Sequence, residues 1–380
     1  MITGERKRIF ISSCEPSSDH HCANLIKKVD RTSEANIEWT GLGGDQMEKA
    51  GCRILEKTAS RAVMAHNAFA HIKYYRQLIR QMTQYLHDNR PDLVIVCDSP
   101  AFNFHIAKSA KANGIKVLFY VAPQLWAWAP WRIGKMRRFC DKLACILPFE
   151  EKWFGNKGVD ASFVGNPLFD GLTINVVENC KDYSSFDQSK ATIALLPGSR
   201  DVEIKTLWPS MQKIALKLKR RWPTIKFIAS AYNTDKLELL KSREIKNFQC
   251  EYTTSDVPSL AKKADLAFVA SGSATLQVAS SGCPMIVMYR TSRILWHLVG
   301  KWLVRTRFLS LVNILAGRQL VPEFMPHFGS IAPIVDRCKM IMRNKSRIAK
   351  ISRELVRLIA PMAEKNASEN TAKIVLEMID

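Results

Sequence analysis

The segment Asp92-Leu93-Val94-Ile95-Val96-Cys97 constrains the fold more than any other stretch of the chain. Its apolar residues run on without the alternation of a half-exposed strand. It therefore reads as a strand buried on both faces, and such strands belong to parallel sheets covered by helices. Similar runs recur at Ile9-Phe10-Ile11, 37–40, 115–120 and 142–146, and again at 192–196, 225–230, 266–270 and 284–289. Helical patterns lie between them, at 19–29, at 104–112 (closed by Asn113-Gly114), at 201–221 and at 275–281. The glycine run Gly41-Leu42-Gly43-Gly44 reads as the turn that ends the second strand. The alternation lapses over 169–190, which is rich in Asn, Asp, Ser and Lys. The expectation is an α/β protein of two doubly wound, Rossmann-like domains facing a cleft, 1–168 and 191–361, joined by a linker at 169–190. In the closing segment 362–380, Ala367, Thr371, Ile374, Val375 and Met378 fall on one helical side, which is expected to pack back on the first domain.

Length and charge then narrow the function. A chain of 380 residues can bury two cores. No apolar run approaches the roughly 20 residues of a spanning helix. The polar, basic start leads straight into a strand, so no signal peptide is expected and the chain reads as cytoplasmic. Ten cysteines without C-x-x-C pairs fit a reduced compartment and no metal site. The adjacent pair His20-His21 diverges by about 100° on a helix and offers no metal site either. The net charge of +21 calls for an anionic partner. Nucleic acid ranks last, because the chain has no zinc finger, RNP motif or basic tail. Anionic lipid and phosphorylated substrates remain. Two stretches mix cations with apolar and aromatic residues as interfacial helices do: His71-Ile72-Lys73-Tyr74-Tyr75-Arg76-Gln77-Leu78-Ile79-Arg80, and 290–308 with Trp296, Trp302, Arg293, Lys301, Arg305 and Arg307. Taken singly, each stretch is slightly better explained as an ordinary core-facing helix. The segment Trp126-Ala127-Trp128-Ala129-Pro130-Trp131 either lines an acyl pocket or packs the domain.

Ligands of open α/β sheets bind at the carboxyl ends of the strands, so the residues there carry the chemistry. After the first strand comes Cys14-Glu15-Pro16-Ser17-Ser18-Asp19, with Ser18 or Asp19 placed to cap the following helix. After the Asp92–Cys97 run comes Asp98, which either serves as a general base or caps the turn before Pro100. In the second half, Pro197-Gly198-Ser199-Arg200 and Ser271-Gly272-Ser273-Ala274-Thr275 each follow a strand and open a helix. Small residues there let a diphosphate approach backbone N–H groups, and Arg200 adds charge. A third basic loop, Asn313-Ile314-Leu315-Ala316-Gly317-Arg318, joins them.

Taken in order, these segments resemble the lipid-A-disaccharide synthase family over nearly the whole chain. The resemblance is carried by Gly41-Leu42-Gly43-Gly44, Pro123-Gln124-Leu125-Trp126-Ala127-Trp128, Leu147-Pro148-Phe149-Glu150, Phe163-Val164-Gly165-Asn166-Pro167-Leu168, Leu195-Leu196-Pro197-Gly198-Ser199-Arg200, Ala270-Ser271-Gly272-Ser273-Ala274-Thr275-Leu276 and Asn313-Ile314-Leu315-Ala316-Gly317-Arg318. It implies a GT-B fold and an inverting transfer needing neither metal nor cofactor. The donor would be UDP-2,3-diacylglucosamine, held by the second domain. The acceptor would be 2,3-diacylglucosamine 1-phosphate, on a first domain that faces the membrane. The family's catalytic Asp falls on Asp98, with Glu15 and Asp19 in reserve. Its Arg after P-G-S falls on Arg200 and its Asn of the N-I-L-A-G-R segment on Asn313, and with the strand-end loops the candidate donor residues are Gly198, Ser199, Arg200, Ser271, Gly272, Ser273, Ala274, Thr275, Gln277, Asn313, Gly317 and Arg318.

The chain departs from the family pattern at Cys14 and Pro16, and at Ser18, Ala68, Ala101, Asn166 and Gln277. The resemblance further implies a peripheral place on the anionic cytoplasmic leaflet of the inner membrane, and it is compatible with a homodimer. Two other readings keep the same scaffold: a membrane glycosyltransferase with a different UDP-sugar, and a non-catalytic relative that binds UDP or lipid.

Overall fold

The computed structural model describes residues 6–58, 68–291 and 304–380. The chain divides into two compact units, Met1–Leu172 with Met362–Asp380, and Thr173–Pro361.

The first unit is built on a seven-stranded sheet: β1 (Arg6–Ser13), β2 (Asn36–Gly43), β3 (Arg53–Lys57), β4 (Leu93–Cys97), β5 (Lys116–Tyr120), β6 (Lys142–Cys145) and β7 (Ala161–Phe163), in the order β3-β2-β1-β4-β5-β6-β7. Every pairing is parallel. The order reverses between β1 and β4, and that reversal opens a crevice at the strands' carboxyl ends. The period-two alternation of the strands divides their side chains between two faces. Ile9, Ile11, Leu93, Ile95 and Leu118 form one core with Leu25, Ile26 and Val29 of helix α1 (Pro16–Thr32) and with Ala372, Ile374 and Val375 of the C-terminal helix, Ala367–Ile379. On the opposite face, Phe10 meets Tyr85 at 5.8 Å between ring centroids, and Phe104 meets Phe119 at 5.8 Å.

The C-terminal helix is tied in by more than its apolar side. The Asp170 carboxylate accepts the N–H groups of Ala367 at 2.7 Å and Ser368 at 3.0 Å, which satisfies two of the helix's orphan donors. Gly165, at φ +103°, is needed here for space as well, because a Cβ would stand 2.5 Å from the Lys365 carbonyl oxygen.

Two local expectations change. The glycine run is strand rather than turn: β2 continues to Gly43, with a register shift at Gly41/Leu42. Its glycines serve close approach, since a Cβ on Gly41 would lie 1.8 Å from the Ile11 carbonyl oxygen. Helix α1 also starts earlier than Ser18, with Pro16 in its first turn and Glu15 at the N-cap position. The Ser18 hydroxyl reaches back instead, accepting from the Glu15 N–H at 3.2 Å and donating to the Glu15 carbonyl at 2.9 Å.

The second unit holds six parallel strands: β8 (Thr192–Leu196), β9 (Lys226–Ser230), β10 (Glu251–Thr253), β11 (Leu266–Ala270), β12 (Met285–Met288) and β13 (Glu323–Phe324). The order is β10-β9-β8-β11-β12-β13, so the reversal falls between β8 and β11. Of the polar segment 169–190, the part from Thr173 onward is strapped to this unit. The Tyr183 ring is buried and its hydroxyl donates to the Asp265 carbonyl at 2.8 Å, while the Lys181 N–H donates to Ser352 Oγ at 2.9 Å.

Candidate active site

In the first unit the switch point lies between β1, which ends beside Glu15, and β4, which ends beside Asp98; Ser13 pairs with Cys97 across them. Asp98 and Ser99 both have left-handed backbones, at φ +52° and +42°. Two successive non-glycine residues in this region cost about 1–3 kcal/mol each and persist only where the surroundings impose them. Here Asn103 imposes them. Its side-chain amide donates to the carbonyls of Cys97 at 2.9 Å and Asp98 at 2.8 Å, and its Oδ1 accepts from Ser12 Oγ at 2.8 Å. The Asp98 N–H completes the clamp by donating to the Tyr120 carbonyl at 3.2 Å. The cap reading of Asp98 therefore yields to another: it sits at the apex of a strained turn that a buried neighbour holds in place.

Glu15 shares this edge. Burial first, and then the negative charges of Glu15 and Asp98, push the Cys14 thiol up to about 12, so both carboxylates flank one neutral thiol. Tyr75 covers the same corner. Its phenol is raised by burial first and then by Cys14 and Glu15, and its ring meets Phe102 at 5.6 Å.

Asp19 has a different role from the reserve base expected of it. It is 4 % exposed and accepts the N–H groups of Gly44 at 2.7 Å, Gln46 at 3.1 Å and Met47 at 3.3 Å. A carboxylate with three backbone donors anchors the start of the short helix α2 (Asp45–Lys49), and its lone pairs are already engaged.

The two motifs at Pro123–Trp128 and Leu147–Glu150 also belong together. The Glu150 carboxylate is buried, accepts from Trp126 Nε1 at 2.9 Å, and takes the N–H groups of Leu147 at 3.0 Å and Ile146 at 3.2 Å. Burial outweighs these bonds and pushes its carboxyl up to about 7. Asn166 is fully buried and braces the same corner by donating to the Ile146 carbonyl at 3.3 Å.

In the second unit both predicted small-residue loops meet at the β8/β11 switch point. They are not equivalent. After β8, Gly198 has φ +108° and lies so near Glu203 that a Cβ would stand 2.2 Å from Glu203 Oε2. That oxygen accepts the N–H groups of Ser199 at 3.1 Å and Arg200 at 3.2 Å. These two donors already hold an anion of the chain's own, so what this loop presents to solvent is the Arg200 guanidinium, 69 % exposed and 3.7 Å from Glu203 Oε1. After β11, the turn is held from below by Thr275, fully buried, whose hydroxyl donates to the Gly272 carbonyl at 2.7 Å. The N–H groups of Gly272, Ser273 and Ala274 have no hydrogen bond among the described residues. Open donors are what an arriving phosphate needs, so this loop is the better cradle. Gln277 lies one turn along the same helix, Ala274–Ser280.

The third loop holds its residues in a hydrogen-bonded framework of its own. Asn313 is fully buried: its amide donates to the Val321 carbonyl and to Glu323 Oε2, both at 2.9 Å, and its Oδ1 accepts from the N–H groups of Leu320 at 2.8 Å and Val321 at 3.0 Å. No capacity is left for a ligand. Glu323 is a hub that the sequence reading missed, accepting also from the N–H groups of Leu309 and Ser310, each at 3.1 Å, and from Ser310 Oγ at 2.7 Å. Gly317, at φ +63°, ends the helix Leu311–Ala316, and Arg318 is paired with Glu354 at 2.9 Å.

The profile of the Lipid-A-disaccharide synthetase family matches residues 9–378. The chain belongs to that family. A Lipid-A-disaccharide synthase of Coxiella burnetii is 32 % identical over 379 residues, covering 98 % of this chain and 99 % of the relative. Lipid-A-disaccharide synthase 1 of Legionella pneumophila is 34 % identical and covers 84 % of each chain. Among solved structures the chain is similar to a putative UDP-N-acetylglucosamine 2-epimerase from Listeria monocytogenes, with TM-score 0.64 and 11 % identity over 99 % of this chain and 96 % of that one. It is similar also to MurG of Acinetobacter baumannii, with TM-score 0.57 and 11 % identity over 98 % and 99 %. At such identities the likeness is one of fold, and it establishes the GT-B architecture. Family membership makes the chain a glycosyltransferase of lipid A synthesis.

Proposed function

We propose that the chain transfers 2,3-diacylglucosamine from its UDP-linked donor to the 6-hydroxyl of 2,3-diacylglucosamine 1-phosphate, giving the β-1,6-linked disaccharide 1-phosphate and UDP. The observation that carries this reading is the family match over residues 9–378. It favours the family's own reaction over a different sugar or a silent binding protein. In this reading Asp98 takes the proton of the acceptor hydroxyl as its oxygen attacks the anomeric carbon from the face opposite the leaving group. The bond from that carbon to the UDP oxygen breaks, UDP departs with the electron pair, and the anomeric configuration inverts. Glu15 stands beside Asp98 as the second carboxylate of the acceptor half. Arg200 and the open N–H groups at Gly272, Ser273 and Ala274 meet the negative charge that grows on the departing diphosphate. Gln277 is offered to the donor's nucleoside.

Both substrates carry acyl chains, so the enzyme works at a bilayer surface. Among the described residues no helix is long and apolar enough to cross a membrane. The charge of +21 suits peripheral attachment to an anionic cytoplasmic face. The direct test is formation of the disaccharide from the two purified diacylated substrates. The wild-type chain should form it, and Asp98→Asn should lose turnover while keeping UDP affinity. A folded wild-type chain that binds UDP but forms no disaccharide would reject the reaction.

A further inference from the structure

The three stretches that mix aromatics with cations end in three different places. Of 290–308, residues 292–303 lie outside the described residues. In the helix Ala68–Asn89 the aromatics turn inward: the Tyr74 hydroxyl donates to Glu56 at 3.0 Å, and Tyr75 packs on Phe102. Of the described side chains in that stretch, Lys73, Arg76, Gln77 and Arg80 are exposed. The tryptophan segment divides. Trp126 is buried, bonded to Glu150, with Phe149 against it at 4.9 Å. Trp128 and Trp131 turn out, 56 % and 61 % exposed, and they are the two exposed tryptophans among the described residues.

A left-handed Ala129, at φ +66°, separates the two rings and starts the short 3-10 turn Pro130–Arg132. The helix Ile133–Phe139 follows directly, with Met136 as its buried contact. The sequence from Trp128 to Phe139 holds four cations, Arg132, Lys135, Arg137 and Arg138, and no acid. The next acid along the chain, Asp141, is engaged elsewhere, with Lys111 at 2.6 Å. Among the described residues no ion pair neutralises the four. Exposed indole rings beside uncompensated cations match one environment, the headgroup layer of an anionic bilayer, where the ring sits at the polar–apolar boundary and the cation meets lipid phosphate. The segment also leaves the carboxyl end of β5, whose last residue accepts the Asp98 N–H at 3.2 Å.

We propose that Trp128, Trp131 and the cations Arg132, Lys135, Arg137 and Arg138 form a membrane anchor that docks on anionic phospholipid, setting the Asp98 edge of the first unit at the bilayer surface. Its value to an acylated acceptor rests on the reaction proposed above, whereas the docking itself does not.

The test is co-sedimentation of the full-length protein with phosphatidylglycerol-containing vesicles and with neutral phosphatidylcholine vesicles. Two variants are compared, Trp128→Ser with Trp131→Ser, and Lys135→Gln with Arg137→Gln, each checked for an unchanged melting temperature. Each cation near such a surface contributes about fivefold in partitioning, so the charge variant should lose roughly thirtyfold on anionic vesicles. High salt should shrink that difference, because screening shortens the attraction. The tryptophan variant should lose binding to both vesicle types. Folded variants that both bind like the wild type would overturn the anchor. So would a tryptophan variant that keeps vesicle binding but turns a dimer into a monomer in sedimentation velocity, since the face would then belong to a second copy. Disaccharide formation with detergent-dispersed substrates is read separately: its failure in the wild type strikes the proposed reaction and leaves vesicle docking standing.

Discussion

Replacing Asn103 should damage catalysis without touching a substrate. The residue is fully buried and makes three side-chain hydrogen bonds, to Ser12, Cys97 and Asp98. Asn103→Ala leaves two carbonyls and one hydroxyl without those partners, in a site too buried for bulk water to replace them. Each orphaned group costs about 1–3 kcal/mol, although the alanine cavity admits some relief, so a total loss of about 3–5 kcal/mol is expected. Most of the damage falls on the turn. Asp98 and Ser99 hold a conformation costing about 1–3 kcal/mol apiece. Without the amide bridging the Cys97 and Asp98 carbonyls, the turn gains by relaxing toward negative φ, which swings the Asp98 carboxylate away. A displacement of about 1 Å at a reacting group can cost 10²-fold in rate. The expected result is kcat down by about 10²-fold with UDP affinity unchanged, because the diphosphate is assigned to the other unit.

Steady-state kinetics beside UDP calorimetry would read both quantities, and a denaturation curve would report the folded fraction. Asn103→Asp sharpens the test. It keeps the acceptor for Ser12, loses the donors and places a second negative charge beside Asp98, so it should match alanine in kcat while losing less stability from the Ser12 side. If folded Asn103→Ala turns over within threefold of the wild type, the clamp argument is wrong and the left-handed pair is held by something else.

Four further outcomes are expected. Asp98→Asn should lower kcat by about 10²–10⁴-fold, the usual contribution of a positioned base, with Glu15→Gln losing less; the reverse order in the same assay would move the base to Glu15. Arg200→Ala should weaken UDP binding by about 1.5–3 kcal/mol in calorimetry, and an unaltered affinity would remove it from the donor site. Leu25→Ala, in the core shared by α1 and the C-terminal helix, should cost about 2–5 kcal/mol in urea unfolding. Glu150 should make stability fall with rising pH: burial raises its carboxyl from an ordinary 4.5 to about 7, so between these values the folded state holds a proton that the unfolded chain has lost. The wild type should lose about 3 kcal/mol relative to Glu150→Gln across that window, and parallel denaturation midpoints for the two proteins from pH 4.5 to 7.5 would refute it.

The layout was legible in the sequence because a parallel strand announces itself locally. Leu93–Cys97 is apolar throughout since both faces are covered, and Leu266–Ala270 repeats the pattern in the second unit. The edge strands were not legible. Arg53–Lys57 and Ala161–Phe163 are short and half-buried, so neither period nor hydrophobicity marks them. The glycine run misled for a related reason. Glycine permits a turn and it permits close packing, and only the distance from Gly41 to the Ile11 backbone separates the two.

Side-chain roles were the least legible, because sequence does not show what a polar group is already bonded to. Asp19, Asn313 and Asp98 all stand near strand ends or in loops and read alike as polar residues at ligand-binding positions. The structure sorts them by what their lone pairs and protons already do. Asp19 is spent on Gly44, Gln46 and Met47, and Asn313 on Val321, Leu320 and Glu323. The same criterion separates the two phosphate-type loops, which local sequence makes look equivalent. Glu203 occupies the N–H groups of Ser199 and Arg200, whereas those of Gly272, Ser273 and Ala274 stay open among the described residues. Polar groups that recur across a family need not touch its substrate. Some build the loop that does, and a count of satisfied hydrogen bonds tells the two kinds apart before any ligand is bound.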